Sequence, residues 1–245
     1  MPVAQFRFHP SFDRFLPRER RSVLFVYPFE SSRSIKDMIE AAGVPHTEIG
    51  RILVQGEVVD FGYRVQAGDT VEIDAVNMTA VATDDPRFVA DIHLGRLVAY
   101  LRMLGFDTLY PDDYRDEELA RIASIDGRIL LTRDIGLLKR RLVSRGHFVH
   151  ETNPWKQLAE VLTAFDLSAQ VAFFQRCTAC NHLLETVDKA SISDQILHNT
   201  AEHYDDFRRC PNCGKLYWKG SHYKRIEQFL RDLSTSPTEL TSADD

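Results

Sequence analysis

The sequence predicts an α/β protein built in three blocks, and three observations carry that prediction. Short apolar strands surround a single well-capped helix over residues 1–77. Strand and helix patterns then alternate regularly over 87–168. All four cysteines of the 245-residue chain fall in the remaining block, 169–232.

In the first block, the alternation of QFRFH and the apolar run VLFVY read as strands. The helix SIKDMIEAAG follows, with Ser34 as N-cap, Asp37 in the first turn and Gly43 as terminator. Strands are expected again at ILVQG, EVVDF and DTVEIDAV, with Gly56 and Gly68-Asp69 at the turns. Two strands, one helix and further short strands make a small α+β unit of β-grasp type. Residues 78–86, within NMTAVATDDP, have the composition of a linker.

The second block reads differently. RFVAD is a strand, and HLGRLVAYLRMLG a helix with Leu94, Leu97, Val98, Leu101 and Leu104 on one face. DTLY with DEELARIAS, then RILLT with IGLLKRRLVS, repeat the unit, and HFVHE with the helix around WKQLAEVLTAF closes it. Such alternation implies parallel strands joined by right-handed crossovers, an α/β sandwich. The last residues, 233–245, are polar and acidic and are expected to be disordered.

A formal net charge of −6 argues against wholesale wrapping of nucleic acid and leaves local basic surfaces open. No apolar run approaches the roughly 20 residues needed to cross a bilayer, and MPVAQFRFHP lacks the parts of a signal peptide. A cytoplasmic protein with no membrane contact is expected. Cysteines that come in two close pairs then point to metal rather than disulfide.

In a parallel sheet, loops leaving the carboxyl ends of the strands converge on one edge, where ligands bind. Asp91 ends the first strand of the second block, Asp134 follows the third, and Asp116 opens the helix after the second, near Asp112, Asp113 and Glu117. Three connections therefore deliver acids to one edge, and hard oxygen ligands at an open site suit Mg²⁺ or Mn²⁺. Singly, some of these acids have a plainer reading: Asp116 and Glu117 favour a helix N-terminus, and Asp134 caps IGLLKRR, whereas Asp91 directly follows buried strand residues and is harder to dismiss. Thr132 offers a hydroxyl beside these carboxylates. Arg96, Arg102 and Arg133 either pair with the acids or hold phosphates. The order of acids fits neither a haloacid-dehalogenase phosphatase, because His93 stands here where that family's second acid belongs, nor a response-regulator receiver. A glycine-rich nucleotide loop is not present.

Cys177-x-x-Cys180 and Cys210-x-x-Cys213 are paired knuckles, and four sulfurs complete a closed tetrahedral shell for structural Zn²⁺. From Arg208 to Arg225 run Arg208, Arg209, Lys215, Lys219, Lys224 and Arg225 without an acid, interleaved with Tyr217, Trp218 and Tyr223. Cations that hold phosphate and faces that stack bases suit single-stranded nucleic acid. The same aromatics would equally pack the ribbon. Lys139-Arg140-Arg141 with Arg145 form a second basic run, placed on the helix after Asp134, where a solvated face is the ordinary reading.

RFVADIHLGRLVAYLRMLGFDT, RDEELARIA, RILLTRD, RCTACN and CPNCGKLYWKGSHYKR together resemble the Mut-seven C-terminal RNase family, a PIN-like nuclease domain fused to a zinc ribbon. The likeness runs from about Arg87 to Arg225. The first block resembles the ubiquitin-like β-grasp domain that precedes such nucleases. The resemblance implies a metal-dependent ribonuclease that leaves a 5′-phosphate. Asp91, Asp116 and Asp134 match the family's acidic positions and would hold Mg²⁺ or Mn²⁺; Asp113 or Glu117 are alternatives for the middle acid. Thr132 and Arg133 match its TRD-like motif. Arg96 and Arg102, with Lys215, Tyr217, Trp218, Lys219 and His222 of the ribbon, are the expected substrate contacts. RNA, single-stranded, is the implied substrate, and the β-grasp domain is left to bind a protein partner. The opposing expectation is a catalytically silent RNA-binding adaptor; a PIN-type toxin is a third.

Overall fold

A computed structural model of the chain describes residues 1–30, 33–81, 85–110 and 114–235. The chain divides into two compact units. One takes Met1–Val81 and Tyr114–Phe148, and the other takes the described residues of 85–110 and 149–235.

The first unit begins with β1 (Val3–Phe8), β2 (Phe25–Pro28), α1 (Ile35–Ala42), β3 (Ile49–Val54), β4 (Glu57–Val59), β5 (Thr70–Ala75) and the short α2 (Met78–Val81). The five strands form one sheet in the order β2-β1-β5-β3-β4, with β1 parallel to β5 and the other pairs antiparallel. Alternation in β1 turns Ala4, Phe6 and Phe8 inward, where they join Ile35, Met38 and Ile39 of α1 in a single apolar core. The Ser34 hydroxyl accepts the Asp37 N–H at 3.1 Å, satisfying one donor of the first helical turn. Gly43 ends α1 at φ 120°, and a side chain there would fall 2.6 Å from the Phe15 carbonyl oxygen, so only glycine fits. This is the β-grasp arrangement. Within the expected linker, Met78–Val81 form α2, while 82–84 lie outside the described residues.

The second block supplies β6 (Phe88–Ala90), α3 (Gly95–Met103), β7 (Thr108–Leu109), α4 (Asp116–Ile125), β8 (Ile129–Thr132), α5 (Ile135–Leu138), β9 (Gly146–Phe148) and α6 (Pro154–Ala164). β6 pairs with β7 in parallel, Phe88 facing Thr108, and β8 with β9 in parallel, Leu130 facing Gly146. Every residue of β6 and of β8 is buried, the pattern of parallel strands covered on both faces.

The expected helix IGLLKRRLVS stops after Leu138, so the basic run that follows does not form a helix face. Long-range partners override local helix propensity here. The Lys139 ammonium donates to the Glu40 carbonyl at 2.5 Å, the Arg145 guanidinium donates to the Val81 carbonyl at 3.0 Å, and Val143 is fully buried. Burial lowers the Lys139 pKa, opposed by the nearby Glu40 carboxylate. His46 bridges the same seam, with Nδ1 2.7 Å from the Glu40 carboxylate and Nε2 2.8 Å from the Val143 carbonyl. The Phe148 N–H donates to the Glu48 carboxylate at 2.7 Å, while the Phe15 and Phe148 rings meet edge-to-face. A carboxylate on a strand N–H satisfies a donor that would otherwise template a further strand. The β-grasp sheet and the segment carrying β8 and β9 are therefore one packed unit, and the block expected to bind a separate partner already engages its own chain.

The third block contains β10 (Glu185–Thr186), α7 (His198–His203), β11 (Phe207–Arg209), β12 (Leu216–Trp218) and α8 (Ser221–Thr235). The three strands are antiparallel in the order β10-β11-β12. In this second unit Trp155 of α6 stacks on Tyr100 of α3 at 4.5 Å and touches Phe229 of α8 at 4.9 Å. Residues 233–235 of the expected tail belong to α8, and 236–245 lie outside the described residues. Among the described residues no helix is long and apolar enough to cross a membrane.

Candidate metal centre and nucleic-acid interface

Four sulfurs, from Cys177, Cys180, Cys210 and Cys213, lie within 4.8 Å of one another. Two loops of near-identical construction place them. In the first, the Asn181 N–H donates to the Cys177 carbonyl at 2.9 Å and the Cys177 N–H to the His182 carbonyl at 2.8 Å. In the second, Gly214 donates to Cys210 and Cys210 to the Lys215 carbonyl, both at 3.0 Å. Each loop closes on a left-handed residue, Asn181 at φ 68° and Gly214 at φ 75°, the two residue types that adopt this conformation most readily. Within each loop the second cysteine's N–H reaches the first one's sulfur, 3.4 Å for Cys180 to Cys177 and 3.5 Å for Cys213 to Cys210.

The set fits a tetrahedral zinc ion. A shell with Zn–S near 2.3 Å has edges of about 3.8 Å, and Cys177–Cys213 and Cys180–Cys210 stand at 3.5 and 3.3 Å. Without an ion the thiols split in opposite directions. For Cys180, burial is outweighed by donors from the His182 backbone, Asn212 and neighbouring cysteines, which bring its thiol down to about 5. Burial pushes the Cys210 thiol up to about 12. Four thiolates cannot crowd together without a cation, and thiolates are what Zn²⁺ takes.

Tyr217, expected as a stacking platform, has a second task. Its hydroxyl lies 3.0 Å from the Cys177 sulfur and accepts the Thr178 N–H at 3.0 Å. Burial, then the Cys177 contact, raises its pKa. Arg102 requires correction. It was expected to hold phosphate, yet it is only 5% exposed, and its guanidinium donates to the carbonyls of Thr108 (2.9 Å), Thr178 (3.1 Å) and Ala179 (2.8 Å). It ties α3 to the first cysteine loop and is not presented to a ligand. Arg102→Ala should therefore cost about 3 kcal/mol of stability, because it strips a charged donor from three carbonyls. Urea unfolding would show the loss; wild-type stability would contradict this role.

The other ribbon residues are accessible. Lys215, Lys219 and His222 are exposed, and Trp218 is 37% exposed. Lys219 sits 5.8 Å from the Phe174 ring centre and also reaches Asp206 at 3.5 Å. Part of the basic stretch is structural: Arg208 donates to the Phe174 carbonyl, and Arg209 to Gln195. Phe174, absent from the sequence-based site, lies among these side chains; the aromatic pair at 173–174, just before the first knuckle, was the signal for it.

The acids stand at the ends of buried strands. Asp91 follows β6, is 5% exposed, and caps a 3₁₀ turn by accepting the His93 N–H at 2.9 Å. Asp134 follows β8, is exposed, and accepts the Gly136 N–H at 2.7 Å. The buried Thr132 hydroxyl accepts the Asp134 N–H at 2.9 Å and so fixes the turn that presents this carboxylate. Asp116 opens α4 and lies 3.4 Å from Arg140, which also stands 3.8 Å from Glu117. Asp116 and Asp134 belong to the first unit, with the half-buried Arg133, and Asp91 and the exposed Arg96 to the second. Asp112 and Asp113 lie outside the described residues.

The fold and site define an α/β protein in which a β-grasp block precedes parallel strand pairs and a four-cysteine ribbon. The family model for the Mut7-C RNAse domain matches residues 86–230, and that for the Mut7-C ubiquitin domain matches residues 1–79. The chain belongs to the Mut7-C family. No curated protein and no solved structure matches it.

Proposed function

We propose that the chain is a metal-dependent ribonuclease that hydrolyses RNA phosphodiester bonds and leaves 5′-phosphates. The observation that carries the reading is the Mut7-C RNAse domain match over 86–230, which contains an acid directly after β6 and another two residues after β8. Asp91, Asp116 and Asp134 are the carboxylates assigned to hold Mg²⁺ or Mn²⁺; they offer the hard oxygen donors these ions prefer. Glu117 shares Arg140 with Asp116 and is the alternative for the middle ligand. A bound divalent cation supplies Lewis acidity toward phosphate oxygens and makes water a stronger nucleophile.

The chain's own groups do the rest. Thr132 holds the turn that presents Asp134, and Arg133 and Arg96 neutralise charge on the phosphate. Zinc in the cysteine shell is structural, since four thiolates leave no position for substrate. The ribbon guides the strand through Lys215, Trp218, Lys219 and His222, with Tyr217 anchored to the zinc loop. We place the protein in the cytoplasm.

The test is turnover of an end-labelled single-stranded RNA by the full chain with Mg²⁺, Mn²⁺ or chelator. Cleavage that requires the divalent ion supports the reading. Binding without cleavage under either ion sinks it and favours the silent adaptor.

A further inference from the structure

Beside the cysteine loops the second unit carries a groove of about 270 Å³. Its walls include Phe174, Tyr217, Trp218 and Tyr223, and none of its lining residues is Asp or Glu. Cations stand over these rings: Lys215 Nζ is 5.6 Å from the Tyr217 ring centre, and Lys219 Nζ is 5.9 Å from that of Tyr223. Gly220 makes room at one corner, because a side chain there would fall 2.9 Å from the Trp218 indole nitrogen. Tyr223 packs on Phe173 at 4.7 Å and on Phe174 at 5.4 Å, which fixes that wall. Arg176, also in the lining, is committed to the Gly105 and Asn181 carbonyls.

The geometry points to a seat for one unpaired nucleobase, with the adjoining phosphate held by Lys215 and Lys219. The inference rests on the RNA-directed reading above and narrows it to a groove that includes Phe174 and Tyr223. Flat aromatic walls match the π-face that every base carries, and Lys215, together with Lys219 once it exchanges its 3.5 Å contact with Asp206 for the ligand, matches a phosphodiester. A paired base cannot enter, since its faces are stacked inside the duplex. The volume is below the roughly 300–1,000 Å³ of pockets that enclose drug-sized ligands, so it suits one base rather than a run.

The experiment measures binding of a fluorescent single-stranded RNA octamer, and of the blunt duplex of the same sequence, by anisotropy. The full chain is used at fixed salt without added Mg²⁺ or Mn²⁺. The octamer should bind at least tenfold more tightly than the duplex. Trp218→Ala and Tyr223→Ala should each weaken octamer binding by roughly tenfold, and Trp218→Phe, which keeps a flat face, should restore most of it. Lys215→Glu alters an exposed side chain, so it keeps the packing while weakening binding and flattening the salt dependence. Wild-type affinity in Trp218→Ala and Lys215→Glu, or equal binding of duplex and octamer, would overturn the inference. The two readings fail separately. Variants that cleave RNA with unchanged KM remove the groove and leave the ribonuclease. A wild-type chain that never cleaves, but loses RNA binding in these variants, removes the ribonuclease and leaves the groove.

Discussion

Asp134→Asn should lower RNA cleavage by roughly 10²–10³-fold while leaving the fold intact. Asparagine keeps the oxygen that accepts the Gly136 N–H and is as good an N-cap as aspartate, so α5 should not fray. What it removes is the negative charge that the proposed function assigns to a divalent cation. The charge stabilisation such a cation gives a phosphoryl transition state is worth several kcal/mol, and each 1.36 kcal/mol is a factor of ten in rate. Thermal melting should match wild type, and single-turnover cleavage of a labelled RNA should collapse. A folded variant that cleaves at the wild-type rate would remove Asp134 from the site.

The second large effect concerns the cysteines. Purified protein should contain about one zinc ion per chain, and Cys210→Ser should abolish that content. Binding of structural zinc is worth on the order of 10 kcal/mol in small zinc peptides, comparable to the whole stability of an ordinary domain. Cys210 and Cys177 are fully buried, and the neighbouring β10-β11-β12 sheet is built from strands of two or three residues. Without the ion these strands should become open to protease, while the β1–β5 sheet keeps its amide protection. Metal analysis with limited proteolysis reads both effects. Zinc-free protein with the ribbon equally protected would contradict the account.

How much of this was legible in the sequence depends on how far each side chain reaches. Helix α1 was readable because its signals are local: Ser34, Asp37 and Gly43 lie within ten residues and act on their own backbone. The cysteine loops were readable for the same reason, since the two-residue spacing within each pair is a local signal, whereas the left-handed turns at Asn181 and Gly214 came from the structure. The basic run after Leu138 was not. Lys139 finds its acceptor at Glu40, 99 positions away, and Arg140 finds Asp116, 24 positions away. Nothing local announces that the helix must stop there. Arg102 misled in a similar way. Its position in an apolar helix face suited an ion held toward a ligand as well as one buried, and only the carbonyls of Thr178 and Ala179 decide for burial. Tyr217 was legible as an aromatic of the ribbon, whereas its contact with Cys177 depends on how two distant loops meet.

The most direct test is Mn²⁺ binding by calorimetry to wild type, Asp91→Asn and Asp134→Asn, all with zinc in the cysteine shell. The account predicts a saturable Mn²⁺ site in wild type that each single substitution abolishes, with zinc content unchanged in all three. Mn²⁺ binding of equal affinity in the wild type and both variants would contradict it.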